Sequence, residues 1–199
     1  VAFVAGGTRG FNLAIAQKYA EHGCKVVVSS RNEERCSTAA QSIIDMGAEA
    51  MGIPCDVRDY DALQEVYKHT KEKFGPIDLV VAAQAGNFYA PALGMSMNAY
   101  RSIIDIDLIG TFNVIRLAAA AMSKLDPLEA NERGVIINTA SVAAYEGQIG
   151  QAAYSASKGG VVGMTLPIAR DLSVAGIRVL TIAPGTFDTP MLGMLPEEI

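Results

Sequence analysis

The sequence predicts an α/β protein built on a doubly wound parallel sheet, three layers deep (α/β/α) and forming a single domain. Short apolar, β-branched runs alternate with helical patterns along the whole chain, and the first run leads directly into a glycine-rich turn. Size agrees: 199 residues, 50% hydrophobic and 19% charged, suit one large core.

Residues 1–5 (VAFVA) are an apolar run broken by Gly6 and Gly7, followed by a helical pattern over about 10–22 that Gly23 can cap. Residues 25–30 (KVVVSS) are continuous and β-branched, as a parallel strand covered on both faces requires. Asn32 can cap a helix reaching about Met46. A strand at 50–54 and a helix at 60–74 follow, the latter with Leu63, Val66, Tyr67 and Phe74 at helical spacing. A strand at 78–83, a long helix at about 107–124, a strand at 134–140, a helix from Ala152 to about Leu172 and a strand at 178–183 complete the alternation. Right-handed βαβ crossovers make this a parallel sheet with helices on both faces. Pro167 removes a hydrogen bond within the last helix and predicts a bend there. Gly159, Gly160 and Gly163 on the same helix suit close helix packing.

The net charge of -5 comes without a Lys/Arg cluster, so no nucleic-acid partner is expected. No apolar run approaches a membrane span and no charged-then-apolar signal opens the chain. Cys24, Cys36 and Cys55 are an odd set without C-x-x-C spacing, which suggests neither a disulfide frame nor a metal site. A reducing soluble compartment is expected, cytoplasm or organelle matrix (mitochondrial or peroxisomal), with no secretion. His22 and His69 fall late in helices, where an imidazolium suits the helix dipole.

The chemistry concentrates in residues 141–158, SVAAYEGQIGQAAYSASK. A helix beginning near Ala152 stacks Tyr154 and Lys158 on one face. A phenol of ordinary pKa near 10 is a poor acid or base at neutral pH, and a nearby cation favours its ionised form. At about 4 Å and an effective dielectric near 20, a unit charge is worth on the order of 4 kcal/mol, so Tyr154 is expected to be a lowered, usable acid/base. Ser141 follows a strand-like run, so its hydroxyl stands at the carboxyl end of a strand, where open α/β sheets place ligands. A Tyr–Lys pair at this spacing is also common on ordinary helix surfaces; the rest of the chain distinguishes the two readings.

The turn after the first strand reads AGGTRGFN, residues 5–12. Bare glycine backbone and helix-terminal N–H groups suit a pyrophosphate. At the end of the second strand, where an acidic residue would bond the 2′-hydroxyl of NAD, stand Ser30 and Arg31, which suit a 2′-phosphate.

These residues resemble the short-chain dehydrogenases/reductases over almost the whole chain. AGGTRGFN is similar to the family's T-G-x-x-x-G-x-G turn, CDV at 55–57 to its adenine-contacting segment and APGTFDTP at 183–190 to its P-G-x-x-x-T nicotinamide loop, while Ser141, Tyr154 and Lys158 match its catalytic set. The resemblance implies a Rossmann-like NAD(P)-binding domain over residues 1–199, without the family's last strand and helix. It implies Tyr154 as general acid/base, Ser141 as orienter of the substrate oxygen, and Lys158 as binder of the nicotinamide ribose. Cofactor contacts are implied at Gly6, Thr8, Arg9, Gly10, Phe11, Ser30, Arg31, Asp56, Val57, Ala83, Ala85, Gly86, Tyr154, Lys158, Pro184, Gly185, Thr186 and Thr189, and substrate contacts at Gln148 and Gln151. Asp107 stands where the family places an asparagine that helps a water chain reach the lysine.

From about Gly110 onward the chain is similar to type-2 3-hydroxyacyl-CoA (17β-hydroxysteroid) dehydrogenases. The earlier part, with AGNFYAPA, looks more like peroxisomal 2,4-dienoyl-CoA reductases. Ala5, Asn12 and the Ala82-Ala83-Gln84 run depart from the family pattern. The leading expectation is an NADP(H)-dependent oxidoreductase interconverting a hydroxyl and a carbonyl on a 3-hydroxyacyl/3-oxoacyl thioester or a similar apolar substrate. NADPH is expected in preference to NAD. The alternatives are a 2,4-dienoyl-CoA reductase, and a catalytically impaired nucleotide-binding module. A homotetramer assembled through the helices at 107–124 and 152–172 is implied.

Overall fold

The alternation of apolar and amphipathic segments resolves into six parallel strands with helices on both faces; the computed structural model describes residues 1–187. The strands are β1 (Ala2–Ala5), β2 (Val26–Ser30), β3 (Ala50–Pro54), β4 (Leu79–Ala82), β5 (Gly134–Thr139) and β6 (Ile177–Ile182). Their order in the sheet is β3-β2-β1-β4-β5-β6, every pair parallel. The order reverses between β1 and β4, which places a crevice at the carboxyl ends of those strands.

Period-two alternation sorts the strand side chains between two cores. Val4, Val26, Val28 and Val81 pack with Ala16 and Ala20 of α1 (Gly10–Glu21) and Ala39, Ala40 and Ile43 of α2 (Glu33–Ile44). Phe3, Val27, Val80 and Ile136 pack on the other face with Leu63, Val66 and Tyr67 of α3 (Tyr60–Phe74). Val26, Val27 and Val28 are fully buried, each contributing about 1.5–3 kcal/mol relative to exposure. Phe3 and Tyr67 meet edge to face, with ring centroids 5.6 Å apart. No helix among the described residues is long and apolar enough to cross a membrane.

The helix expected at 107–124 differs from the observed one. Helix α4 (Met97–Ile104) begins ten residues earlier, with the Ser96 hydroxyl accepting from the Ala99 amide at 3.1 Å. It runs through a π-helical turn, Asp105–Ile109, where the Gly110 amide reaches back five residues to the Asp105 carbonyl, and continues as α5 (Gly110–Met122). Asp107 therefore sits mid-helix, fully buried, instead of at a helix start. Helix α6 (Ala152–Ser173) runs unbroken through Pro167. Among the described residues, Gly160 is the one of its three glycines that meets a close neighbour: a Cβ there would fall 2.8 Å from Leu108, while none lies within 4 Å of one at Gly159 or Gly163.

Candidate active site

Helix α6 begins at Ala152 as the sequence predicts, so Tyr154 and Lys158 share a face, and the Lys158 ammonium lies 5.6 Å from the Tyr154 ring centre. Lys158 is almost completely buried and donates to the Thr139 carbonyl at 2.8 Å, which fixes it beneath the end of β5. Ser141, two residues past β5, caps the short 3-10 turn Val142–Ala144: its oxygen accepts from the Ala143 amide at 3.2 Å, leaving the hydroxyl hydrogen to donate elsewhere. That hydroxyl is near enough to the Tyr154 phenol to favour its ionised form. The three groups expected together are together.

Their electrostatics depart from the expectation. Burial pushes the Tyr154 phenol above its ordinary value, outweighing the Ser141 hydroxyl, with the charges of Asp107 and Tyr89 pushing the same way. Lys158 is itself held below the ordinary lysine range by burial, against the pull of Asp107. The lowered tyrosine inferred from helical spacing is thus corrected: spacing fixes proximity, but desolvation decides the sign.

Asp107 accepts from the Gly86 amide at 2.7 Å through Oδ1 and from the Ser157 hydroxyl at 3.2 Å through Oδ2. Burial raises its carboxyl, while Lys158 and both donors oppose that rise. The carboxylate is thereby committed to holding the loop after β4 against α6. Below it, Thr111 donates to the Asp107 carbonyl at 2.6 Å and accepts from Gln84 at 2.8 Å.

The glycine-rich turn fits the pyrophosphate of a dinucleotide. Gly6 has φ +77°, and a Cβ there would fall 2.7 Å from the Gln84 backbone. Helix α1 has no side-chain cap and no acid in its first turn, so its terminal N–H groups and positive dipole end are left for an anion. Thr8 is buried, while Arg9 is exposed and Gly10 and Phe11 half-buried at that terminus. Asn12, which replaces the third glycine, donates to the carbonyls of Ala83 (2.8 Å) and Gly6 (3.3 Å). These bonds tie the start of α1 to the residue that follows β4.

At the adenosine end, Arg31 is exposed beside Asp56, whose carboxylate its charge stabilises. Ser30 lies against Cys36, its amide donating to the sulfur at 3.2 Å. The Asp56 carboxylate is already gripped by Arg58, which holds its pKa low, so Asp56 meets an adenine only as an ion-paired group. The Val57 carbonyl accepts from Asn113 of α5 at 3.0 Å. Across the cleft, the Pro184 carbonyl accepts from the Val142 amide at 3.0 Å, and Gly185 and Thr186 continue an exposed loop. Phe187 of that loop meets Phe11 with ring centroids 4.9 Å apart, so the loop after β6 reaches the first turn of α1. Thr189 lies outside the described residues.

Ala83 is buried, and Ala85 and Gly86 line the loop after β4. Gln148 is exposed; Gln151 is buried and donates to the Tyr89 hydroxyl at 2.9 Å. Tyr89, Thr139, Asn113 and Phe187 escaped sequence reasoning. AGNFYAPA carries no regular period, so nothing in it singles out a tyrosine facing the pocket. Among the described residues no group of three His, Cys, Asp or Glu side chains is placed to hold a metal.

Strand order, glycine turn and the Ser141–Tyr154–Lys158 cluster define a dinucleotide-binding α/β oxidoreductase. The short chain dehydrogenase family profile matches residues 1–199, and the chain belongs to that family. It is similar to 3-hydroxyacyl-CoA dehydrogenase type-2 of Drosophila melanogaster, 43% identical over 205 residues, covering all of this chain and 79% of that one. The solved 3-hydroxyacyl-CoA dehydrogenase type-2 of Mycobacterium avium superposes with a TM-score of 0.86 at 38% identity, over 100% of this chain and 77% of that one. The peroxisomal 2,4-dienoyl-CoA reductase of Rattus norvegicus is 34% identical over 186 residues, 93% of this chain and 62% of the relative. The protein is an oxidoreductase acting on CH–OH groups with a nicotinamide dinucleotide.

Proposed function

We propose that the protein interconverts a 3-hydroxyacyl and a 3-oxoacyl thioester with NADP(H). The observation that carries this is the Tyr154 ring with the Lys158 ammonium 5.6 Å from its centre and the Ser141 hydroxyl near its phenol. As a carbonyl is reduced its oxygen becomes alkoxide-like, so donors aimed at it strengthen in the transition state. Ser141 orients the oxygen and Tyr154 delivers the proton; its raised pKa keeps that proton in place at neutral pH. Lys158, anchored on the Thr139 carbonyl, retains two further N–H groups for a ribose and the phenol. A bound nicotinamide supplies or accepts the hydride; Gly6, Thr8, Arg9, Gly10 and Phe11 hold its pyrophosphate side, with Ser30 and Arg31 at the 2′-phosphate.

The thioester class is supported by the printed activities of the relatives. Reduction of a dienoyl thioester is the weaker reading, because the Asp107 carboxylate is fully buried and already accepts from Gly86 and Ser157. We take α5 and α6 as the faces of a homotetramer, where Phe112 and Leu166 are exposed. The test is NADPH oxidation, followed at the reduced-nicotinamide band, with acetoacetyl-CoA and with a dienoyl-CoA. Turnover of the first supports the proposal; turnover of the dienoyl thioester alone overturns it.

A further inference from the structure

Tyr89 lies in the loop after β4, and its hydroxyl is bonded to Gln151 at the start of α6. The direction of that bond is set by a second one. The Gln151 Oε1 accepts from the Gln148 amide at 3.3 Å, so its Nε2 is the end facing Tyr89, and Tyr89 accepts. The phenolic hydrogen of Tyr89 is therefore not used by Gln151. The loop is held in this position from its other side, because the Ala90 amide donates to the Gly150 carbonyl at 3.1 Å. Gln151 stands three residues before Tyr154 at the start of α6, so its bond to Tyr89 sets that phenol on the side of the helix that carries Tyr154. Ring exposure of 36% leaves the Tyr89 side chain open to a ligand.

We propose that Tyr89 is a positioning and specificity-determining residue, donating its phenolic hydrogen to the second carbonyl of a 1,3-dicarbonyl substrate while Ser141 and Tyr154 hold the first. The inference rests on the carbonyl-reduction reading given above and deepens it. A 3-oxoacyl thioester carries two carbonyl oxygens one carbon apart, and two phenols on one side of the start of α6, one fixed by that helix and one by the Gln148–Gln151 turn, can take one oxygen each. A simple ketone offers Tyr89 nothing to bond. The pocket should thus distinguish the two by one hydrogen bond, read mainly in binding of the substrate and little in the chemical step.

The test compares wild type with Tyr89→Phe, which removes one oxygen from a partly exposed ring; because that oxygen also accepts from Gln151, a small fall in melting temperature accompanies the change and is recorded beside the kinetics. Acetoacetyl-CoA and 2-heptanone are used as substrates with NADPH. The expected result is about a tenfold fall in kcat/KM for the thioester, carried by KM, with the ketone unaffected. Equal losses on both substrates, or no loss on either, overturn the assignment. Calorimetric titration of acetoacetyl-CoA into the NADP⁺-loaded proteins separates the two claims. If wild type binds the thioester about tenfold more tightly than Tyr89→Phe but reduces neither compound, the Tyr89 contact stands and the carbonyl-reduction reading falls. If the thioester is reduced but both proteins bind it equally, the reading stands and the contact falls; if wild type neither binds nor reduces it, both fall.

Discussion

The Asp107 carboxylate lies 2.7 Å from the Gly86 amide, joining the middle of a buried helix to the loop that follows β4. Through its other oxygen it reaches Ser157, one residue before Lys158. Asp107→Ala therefore strips an acceptor from two donors and leaves the buried Lys158 without its neighbouring carboxylate. Each buried donor left without its acceptor costs about 1–3 kcal/mol, and each kcal/mol lowers Tm by about 2–4 °C in a chain of this size. Thermal unfolding should show the full drop for alanine and a smaller one for Asp107→Asn, whose amide oxygen can keep one acceptor.

Tyr154→Phe keeps the ring and removes the proton. Turnover should fall a hundredfold or more, about 3 kcal/mol in the barrier, with NADPH affinity nearly intact by titration. Lys158→Ala should damage both cofactor affinity and rate.

The raised pKa of Tyr154 fixes the sign of the pH dependence. Carbonyl reduction consumes the phenolic proton, which is present throughout the neutral range, so that rate should be flat there and decline only in strong alkali. Alcohol oxidation needs the phenolate, and its rate should climb close to tenfold per pH unit from neutral upward. Opposite pH profiles for the two directions would be seen in kcat; an oxidation rate that plateaus near neutrality would contradict the raised phenol.

Asn12→Gly restores the glycine usual in such turns yet should weaken this protein. It deletes the bonds to the Ala83 and Gly6 carbonyls and adds a glycine near the start of α1. The loss is expected to be about 1–3 kcal/mol, measured by denaturant unfolding with an unchanged m-value.

Arg31→Ala tests the cofactor assignment. One charged contact to a 2′-phosphate is worth about ten- to a hundredfold in affinity, so NADPH binding should weaken by that factor while NADH binding stays level in calorimetry.

Much of this architecture was legible because local signals agreed. Helix α3 has the expected bounds, since Asp59 caps it by accepting from the Ala62 amide and its buried face recurs at helical spacing. The Tyr154–Lys158 pair was readable for the same reason, as four residues on a helix are one turn. Helix α4 carried the same kinds of signal, a capping Ser96 and Met97, Tyr100 and Ile104 at helical spacing, but eight residues give that spacing too few turns to stand out. The state of Tyr154 was also hidden, because its pKa depends on how much protein surrounds the phenol, which no spacing records. Tyr89 acquires its meaning only when Gln151, sixty-two positions away, meets it.

The π turn at Asp105–Ile109 gives the helix that contains it room to lose a residue. A π turn houses one residue more than an α turn, at about 80° per residue against about 100°, so five residues here sweep nearly the same azimuth as four in regular α geometry. A single in-frame deletion within the turn would let the helix close while α5 keeps its facing, and Asn113 would still meet the Val57 carbonyl. What such a loss would remove is the local bulge from which the buried Asp107 reaches Gly86. An inserted residue meets no such slack and would turn α5 by about 100° against α4.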